Sequence, residues 1–238
     1  MKSQKFSYVA DGRTYIGSIR RAPTATPMAA VVLLPDWRGQ SPLANDHAAH
    51  LVSLGCSVVI SDLYGDGFNP TRPDEVGPMV KHLMDHRIEG TAALHACVEA
   101  LKQEVPHGTP VFCLGFSAGG MVALDYGRCG ARVDGIILCS ALLKTAVEGM
   151  AAKIAPPVLI LQGTQDQVSP MSVIADLISE MDAAGNDVRF VLYSQTHHAF
   201  DNPDAGSDPT ARLCYSPASA VGARAAIAAF LDEQCRSN

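Results

Sequence analysis

The chain has 238 residues, 47% of them hydrophobic, with 24 acidic against 18 basic side chains and a net charge of −6. This is enough apolar material for one substantial core, so a single domain over residues 1–238 is expected, and no basic footprint exists for a nucleic-acid partner. No apolar run reaches bilayer-spanning length, and the polar start Met1-Lys2-Ser3-Gln4-Lys5 lacks the apolar core of a signal segment, which places the protein in the cytoplasm and off the membrane. In chain order, residues 5–9 and 14–20 alternate as two strands around Asp11-Gly12, a hairpin signal. Residues 29–34 form a continuous apolar strand that opens into Pro35-Asp36-Trp37-Arg38-Gly39-Gln40. A helix is expected over residues 41–54, with Ser41 as N-cap, Pro42 at the first helical position and Gly55 at the stop. Residues 57–62 make the next strand, leading into Tyr64-Gly65-Asp66-Gly67-Phe68.

Between residues 73 and 104 the pattern reads as helix in two pieces, with Val98 and Leu101 buried, until Pro106-His107-Gly108 breaks it. Residues 111–114 are a short β-prone run, and a helical spacing of Met121, Val122, Leu124 and Tyr126 follows, with Gly127 as its expected stop. Strands over 135–139 and 157–161 flank a stretch, 141–154, that is irregular or helical. A helix over 170–184 ends at Gly185. Residues 188–193 form the last strand, and an Ala-rich helix over 217–233 closes the chain. Buried apolar strands alternating with helices imply an α/β fold: a doubly wound, mainly parallel sheet covered on both faces, with an N-terminal hairpin and no separate cap domain.

The most informative stretch lies between strand and helix: Gly115-Phe116-Ser117-Ala118-Gly119 is a G-x-S-x-G in the strand–turn–helix context of a nucleophile elbow. Ser117 must project its hydroxyl from a strained turn, and side chains on either flank would collide with strand and helix. The helix beginning there aims its first N–H groups at the site, which favours developing negative charge.

In a sheet of this type ligands bind beyond the carboxyl ends of the strands. Ser117, Asp166 and a histidine at 197 or 198 all fall at such ends, in the chain order used by α/β-hydrolases. A serine hydroxyl needs an imidazole to take its proton, and the imidazole needs a carboxylate to hold its tautomer and stabilise its cation. One oxyanion donor is the N–H of the residue after the nucleophile, Ala118.

The chain resembles the dienelactone hydrolase family over most of its length. The matching pieces are Pro35-Asp36-Trp37-Arg38-Gly39 after its strand, Asp62-Leu63-Tyr64-Gly65, the elbow through Gly120, Gly163-Thr164-Gln165-Asp166-Gln167-Val168, and His198-Ala199-Phe200. The resemblance points to His198 rather than His197 as the base, and to the N–H of Trp37 as the second oxyanion donor. The Trp37 side chain reads equally as an apolar lid on the pocket or as core. Asp36, Tyr64, Phe116 and Phe200 are further candidates for substrate or supporting contacts.

The sequence also departs from the family pattern. The best-known members carry a cysteine nucleophile and a glutamate after the first core strand, where this chain has Ser117 and Asp36; the shorter Asp36 is a candidate for shaping its loop or bonding Arg38. Members acting on dienelactone hold the substrate carboxylate with arginines, one shortly after the histidine, where this chain reads Asp201-Asn202-Pro203. Arg72 and Arg87 remain as anion-binding candidates.

These features together imply a serine hydrolase acting on a small-molecule ester or lactone through an acyl-enzyme, with no cofactor and no metal, as a monomer or homodimer. A thioesterase or short-peptide hydrolase would use the same residues, and a carbon–carbon bond hydrolase or a non-catalytic binding module could share the fold. His82 with His86, and His47 with His50, have helical spacings that could offer two imidazoles, but neither pair comes with an HExxH motif or third ligand. The seven cysteines are scattered and never form C-x-x-C, which argues against a disulfide framework; Cys113 and Cys139 read as small buried hydrophobes.

Overall fold

A computed structural model describes residues 3–237. Eight strands form one sheet in the order β1-β2-β4-β3-β5-β6-β7-β8. They are β1 (Gln4–Ala10), β2 (Arg13–Arg20), β3 (Ala30–Leu34), β4 (Ser57–Ile60), β5 (Val111–Phe116), β6 (Gly135–Cys139), β7 (Val158–Gly163) and β8 (Val188–Tyr193). The hairpin β1–β2 turns at Asp11 and Gly12, whose φ values of 48° and 78° are the paired positive angles of a type I′ turn. It joins the sheet by antiparallel pairing of β2 to β4, and the pairs from β4 to β8 are all parallel.

Strand alternation divides the core into two layers. Ala30, Val32, Leu34, Val111 and Cys113 face one side, packed against α3 (Arg87–Lys102), α4 (Ala118–Arg128) and α5 (Met171–Ala183). Val31, Leu33, Phe112 and Leu114 face the other, against α1 (Pro42–Ser53) and α6 (Pro217–Ser237). This is the doubly wound arrangement expected of near-continuous apolar strands. The expected break between two helices falls at His86, which separates α2 (Pro73–Asp85) from α3, and Val98 and Leu101 are wholly buried in α3. No helix among the described residues is long and apolar enough to cross a membrane.

The local signals explain most boundaries. Ser41 caps α1 by accepting from the Ala44 N–H at 3.3 Å, and Gly55, at φ 92°, follows the helix end. Gly127 does not stop α4. It lies inside the helix, where a Cβ would sit 2.8 Å from the Ile136 side chain and 3.1 Å from that of Ile154; the positive-φ glycine past the end is Gly130. The stretch 141–154 is irregular rather than helical.

Candidate active site

Ser117 occupies the turn between β5 and α4 with φ 47° and ψ −115°, a conformation that L residues rarely adopt. The surrounding glycines are demanded by contact. A Cβ on Gly115 would lie 2.6 Å from the Gly119 carbonyl oxygen, one on Gly119 2.6 Å from the Leu34 carbonyl carbon, and one on Gly120 2.5 Å from the Ala141 side chain. The turn is held by its own backbone, with the Ser117 N–H donating to the Ser140 carbonyl at 3.1 Å and the Leu142 N–H to the Ser117 carbonyl at 2.9 Å.

The Ser117 Oγ lies 2.9 Å from His198 Nε2, and His198 Nδ1 lies 2.7 Å from Asp166 Oδ2. The neighbours of Asp166 fix the proton positions. Its Oδ1 accepts from the N–H groups of Val168 at 2.7 Å and Ser169 at 2.9 Å, and its Oδ2 accepts from the Gln162 amide at 2.5 Å. A carboxylate surrounded by donors accepts from His198 Nδ1–H as well, which leaves Nε2 of the neutral imidazole to accept from the serine hydroxyl.

The segment carrying His198 is anchored on both sides. Ala199 adopts φ 59° and donates its N–H to Ser140 Oγ at 2.7 Å, while the Phe200 ring is wholly buried against Tyr193. That accounts physically for His-Ala-Phe: a ring bonded on both sides, a small residue at a left-handed position, and a plug. His197 points elsewhere; it is buried, and its Nδ1 has no partner among the described residues.

A cavity of about 590 Å3 opens onto this chain of hydrogen bonds, and Trp37, Phe116, Ser117, Ala118 and His198 are in its wall. Among the described residues the N–H groups of Trp37 and Ala118 find no protein acceptor, which is the condition an oxyanion donor must meet. The Ala118 N–H is also the first of α4, where the helix dipole is positive. The Tyr64 hydroxyl donates to the Trp37 carbonyl at 2.8 Å, so Tyr64 supports the Trp37 loop from behind and is not in the cavity wall. Phe200 belongs to the core rather than to the cavity.

Asp36 lines the cavity but spends its carboxylate on Arg38, which donates from its backbone N–H at 2.9 Å and its guanidinium at 2.8 Å. Burial alone would lower the Arg38 pKa, yet the hydrogen bonds and charge of Asp36 hold it above its ordinary value. The two arginines proposed for anion binding are elsewhere. Arg72 is exposed and paired with Asp74 and Glu75, and Arg87 is committed to buried Asp125 at 2.5 and 2.7 Å. His47 stacks on Phe116 with ring centroids 4.1 Å apart and bonds Asp201 Oδ2 at 3.0 Å; His86 bonds the backbone of His82. Among the described residues, no three His, Cys, Asp or Glu side chains gather as a metal site. All seven cysteines are free, with Cys113 and Cys139 buried.

Sequence reasoning passed over two supporting residues. Gln162 is a polar residue in an apolar strand, wholly buried, and its amide spans Asp166 and the Ala141 backbone. Ser140 directly follows the apolar run of β6 and anchors Ala199. Both carry one readable signal: a polar side chain at the carboxyl end of a buried parallel strand.

The sheet order, the elbow and the flanking helices define an α/β-hydrolase. The chain belongs to the dienelactone hydrolase family, whose profile matches residues 16–234. Among solved structures it is similar to a protein described as m3DLH, at 25% identity and a TM-score of 0.90 over 98% of both chains. A dienelactone hydrolase-like promiscuous phosphotriesterase, P91, from metagenomic libraries matches at 22% identity and 0.90, again over 98% of both. The carboxylesterase Cest-2923 from Lactobacillus plantarum matches at 14% identity and 0.71, over 98% of both. No curated protein matches the sequence.

Proposed function

We propose that the protein is a serine hydrolase of carboxylic esters or lactones, working through Ser117, His198 and Asp166. The observation that carries this is the unbroken line from Ser117 Oγ to His198 Nε2 at 2.9 Å and from His198 Nδ1 to Asp166 at 2.7 Å, at the floor of a cavity. His198 Nε2 takes the hydroxyl proton as Ser117 Oγ attacks the carbonyl carbon. The carbonyl oxygen becomes an oxyanion facing the N–H groups of Trp37 and Ala118. Collapse expels the alcohol, which leaves with the proton from His198, and Ser117 stays acylated. His198 then deprotonates a water that attacks the acyl-enzyme, the acid departs, and Ser117 regains its proton. Asp166 keeps the imidazole in the required tautomer throughout and stabilises its cationic form.

We also propose that this chemistry needs no cofactor, that the substrate is a small molecule, and that the protein works in the cytoplasm as a monomer or homodimer. The test is turnover of a panel of aryl esters and lactones by wild type and Ser117→Ala. The variant should lose at least about 10⁴-fold in kcat with an unchanged circular-dichroism spectrum. Retained ester turnover in the variant would overturn the assignment.

A further inference from the structure

We infer that the site selects a neutral ester carrying an apolar chain, bound beneath α2; this rests on the hydrolase reading above. One face of α2, Gly77, Val80, Lys81 and Met84 at helical spacing, forms a wall of the cavity. Leu142, Val168 and Leu213 supply further apolar wall, and the Leu142 N–H is bonded to Ser117 itself, so the apolar surface starts next to the nucleophile. Met84 and Leu213 are each 40% exposed and belong to the same cavity wall as Val80, Leu142 and Val168, so they add to one contiguous apolar surface rather than standing singly. Leu213 is fixed relative to the base, because its segment bridges to His198 and the Cys214 N–H donates to the His198 carbonyl at 3.2 Å.

Most of the charged groups in the wall already have partners. Asp36 is matched by Arg38, and Asp201 is hydrogen-bonded to His47. Lys81 and Asp85 pair with each other at 2.6 Å with side chains 73% and 50% exposed, at the mouth, and Arg212 is exposed as well. Half-buried Lys144 and exposed Arg212 are the two cations of the wall with no carboxylate partner among the described residues, so a competing anionic substrate would have to use them. Apolar burial gains from each methylene placed under α2, whereas a carboxylate there loses its hydration.

The experiment measures kcat/KM for 4-nitrophenyl acetate, butanoate, hexanoate and octanoate. In parallel it follows hexanoates of alcohols of rising length, and the methyl and free-acid forms of 4-nitrophenyl adipate. In at least one series kcat/KM should rise by about fourfold per methylene while the chain remains beneath α2. The methyl adipate should be preferred to the free acid by tenfold or more. Met84→Asp should lower the long-chain-to-short-chain ratio of the rising series at least tenfold, and Met84→Leu should keep it within about twofold. Flat or falling dependence in both series, or preference for the free acid, overturns the proposal while leaving the hydrolase assignment intact, provided a fluorophosphonate still labels Ser117. No turnover of any ester and no label overturns both.

Discussion

The backbone of Thr196 passes so close to Gly163 that a Cβ there would lie 2.7 Å from the Thr196 carbonyl carbon, and closer still to its oxygen. The same carbonyl accepts the Gln165 N–H at 2.9 Å, so it is not free to retreat. Gly163 ends the strand that presents Asp166, and Thr196 begins the segment that presents His198. Gly163→Ala should therefore push Asp166 and His198 apart. About 10²-fold loss of kcat is expected, with a destabilisation of about 1–3 kcal/mol from overpacking. Steady-state kinetics and thermal melts check this, and wild-type kcat in the folded variant would contradict it.

Asp166→Asn offers a sharper test of the proton positions. The amide oxygen must remain on the side of the Val168 and Ser169 N–H groups, which turns the NH2 towards His198 Nδ1 and the Gln162 amide. His198 then carries its proton on Nε2 and cannot accept from Ser117. A loss of about 10³–10⁴-fold in kcat is expected, with the NMR signal of the hydrogen-bonded Nδ1 proton gone. Equal activity in the two proteins would show that the carboxylate does not set the tautomer.

Tyr64→Phe removes the hydroxyl that holds the Trp37 carbonyl at 2.8 Å. The Trp37 N–H should then be less well fixed on the oxyanion. About tenfold loss of kcat is expected, with KM changed by less than about threefold, because the contact matters most as charge develops. An effect on KM alone would mean that Tyr64 shapes binding instead.

Thiol reactivity follows burial. Desolvation pushes the Cys56 and Cys97 thiols up to about 12 and raises Cys113 and Cys139 too, so their thiolate fractions at pH 8 are negligible. Cys129 is exposed. Native protein treated with iodoacetamide should take up one rapid adduct, absent from Cys129→Ser. Rapid modification of a core cysteine would mean that the sheet opens far more readily than its packing implies.

The fold was legible because strand burial follows simple rules: β3, β5 and β6 are uninterrupted apolar runs, and helix α1 announces itself by Ser41, Pro42 and Gly55. Ser117 and Asp166 stood out because each follows a strand's carboxyl end; the same rule left His197 and His198 open, and only the family resemblance pointed to His198. Long-range contacts were not legible. Gly127 resembles a helix stop until Ile136 and Ile154 are seen against it, and Arg87 resembles a free cation until Asp125 is found behind it. Phe200 lies two residues after His198 in sequence, but the left-handed turn at Ala199 sends it into the core. Such assignments depend on partners far away along the chain, which local periodicity does not encode.

The most direct test of the central claim is the intact mass of the protein after exposure to a fluorophosphonate, for wild type, Ser117→Ala and His198→Ala. An activated Ser117 predicts one adduct on wild type, none on Ser117→Ala, and labelling of His198→Ala slowed by orders of magnitude. No adduct on folded wild-type protein, or an adduct that persists on Ser117→Ala, would contradict it.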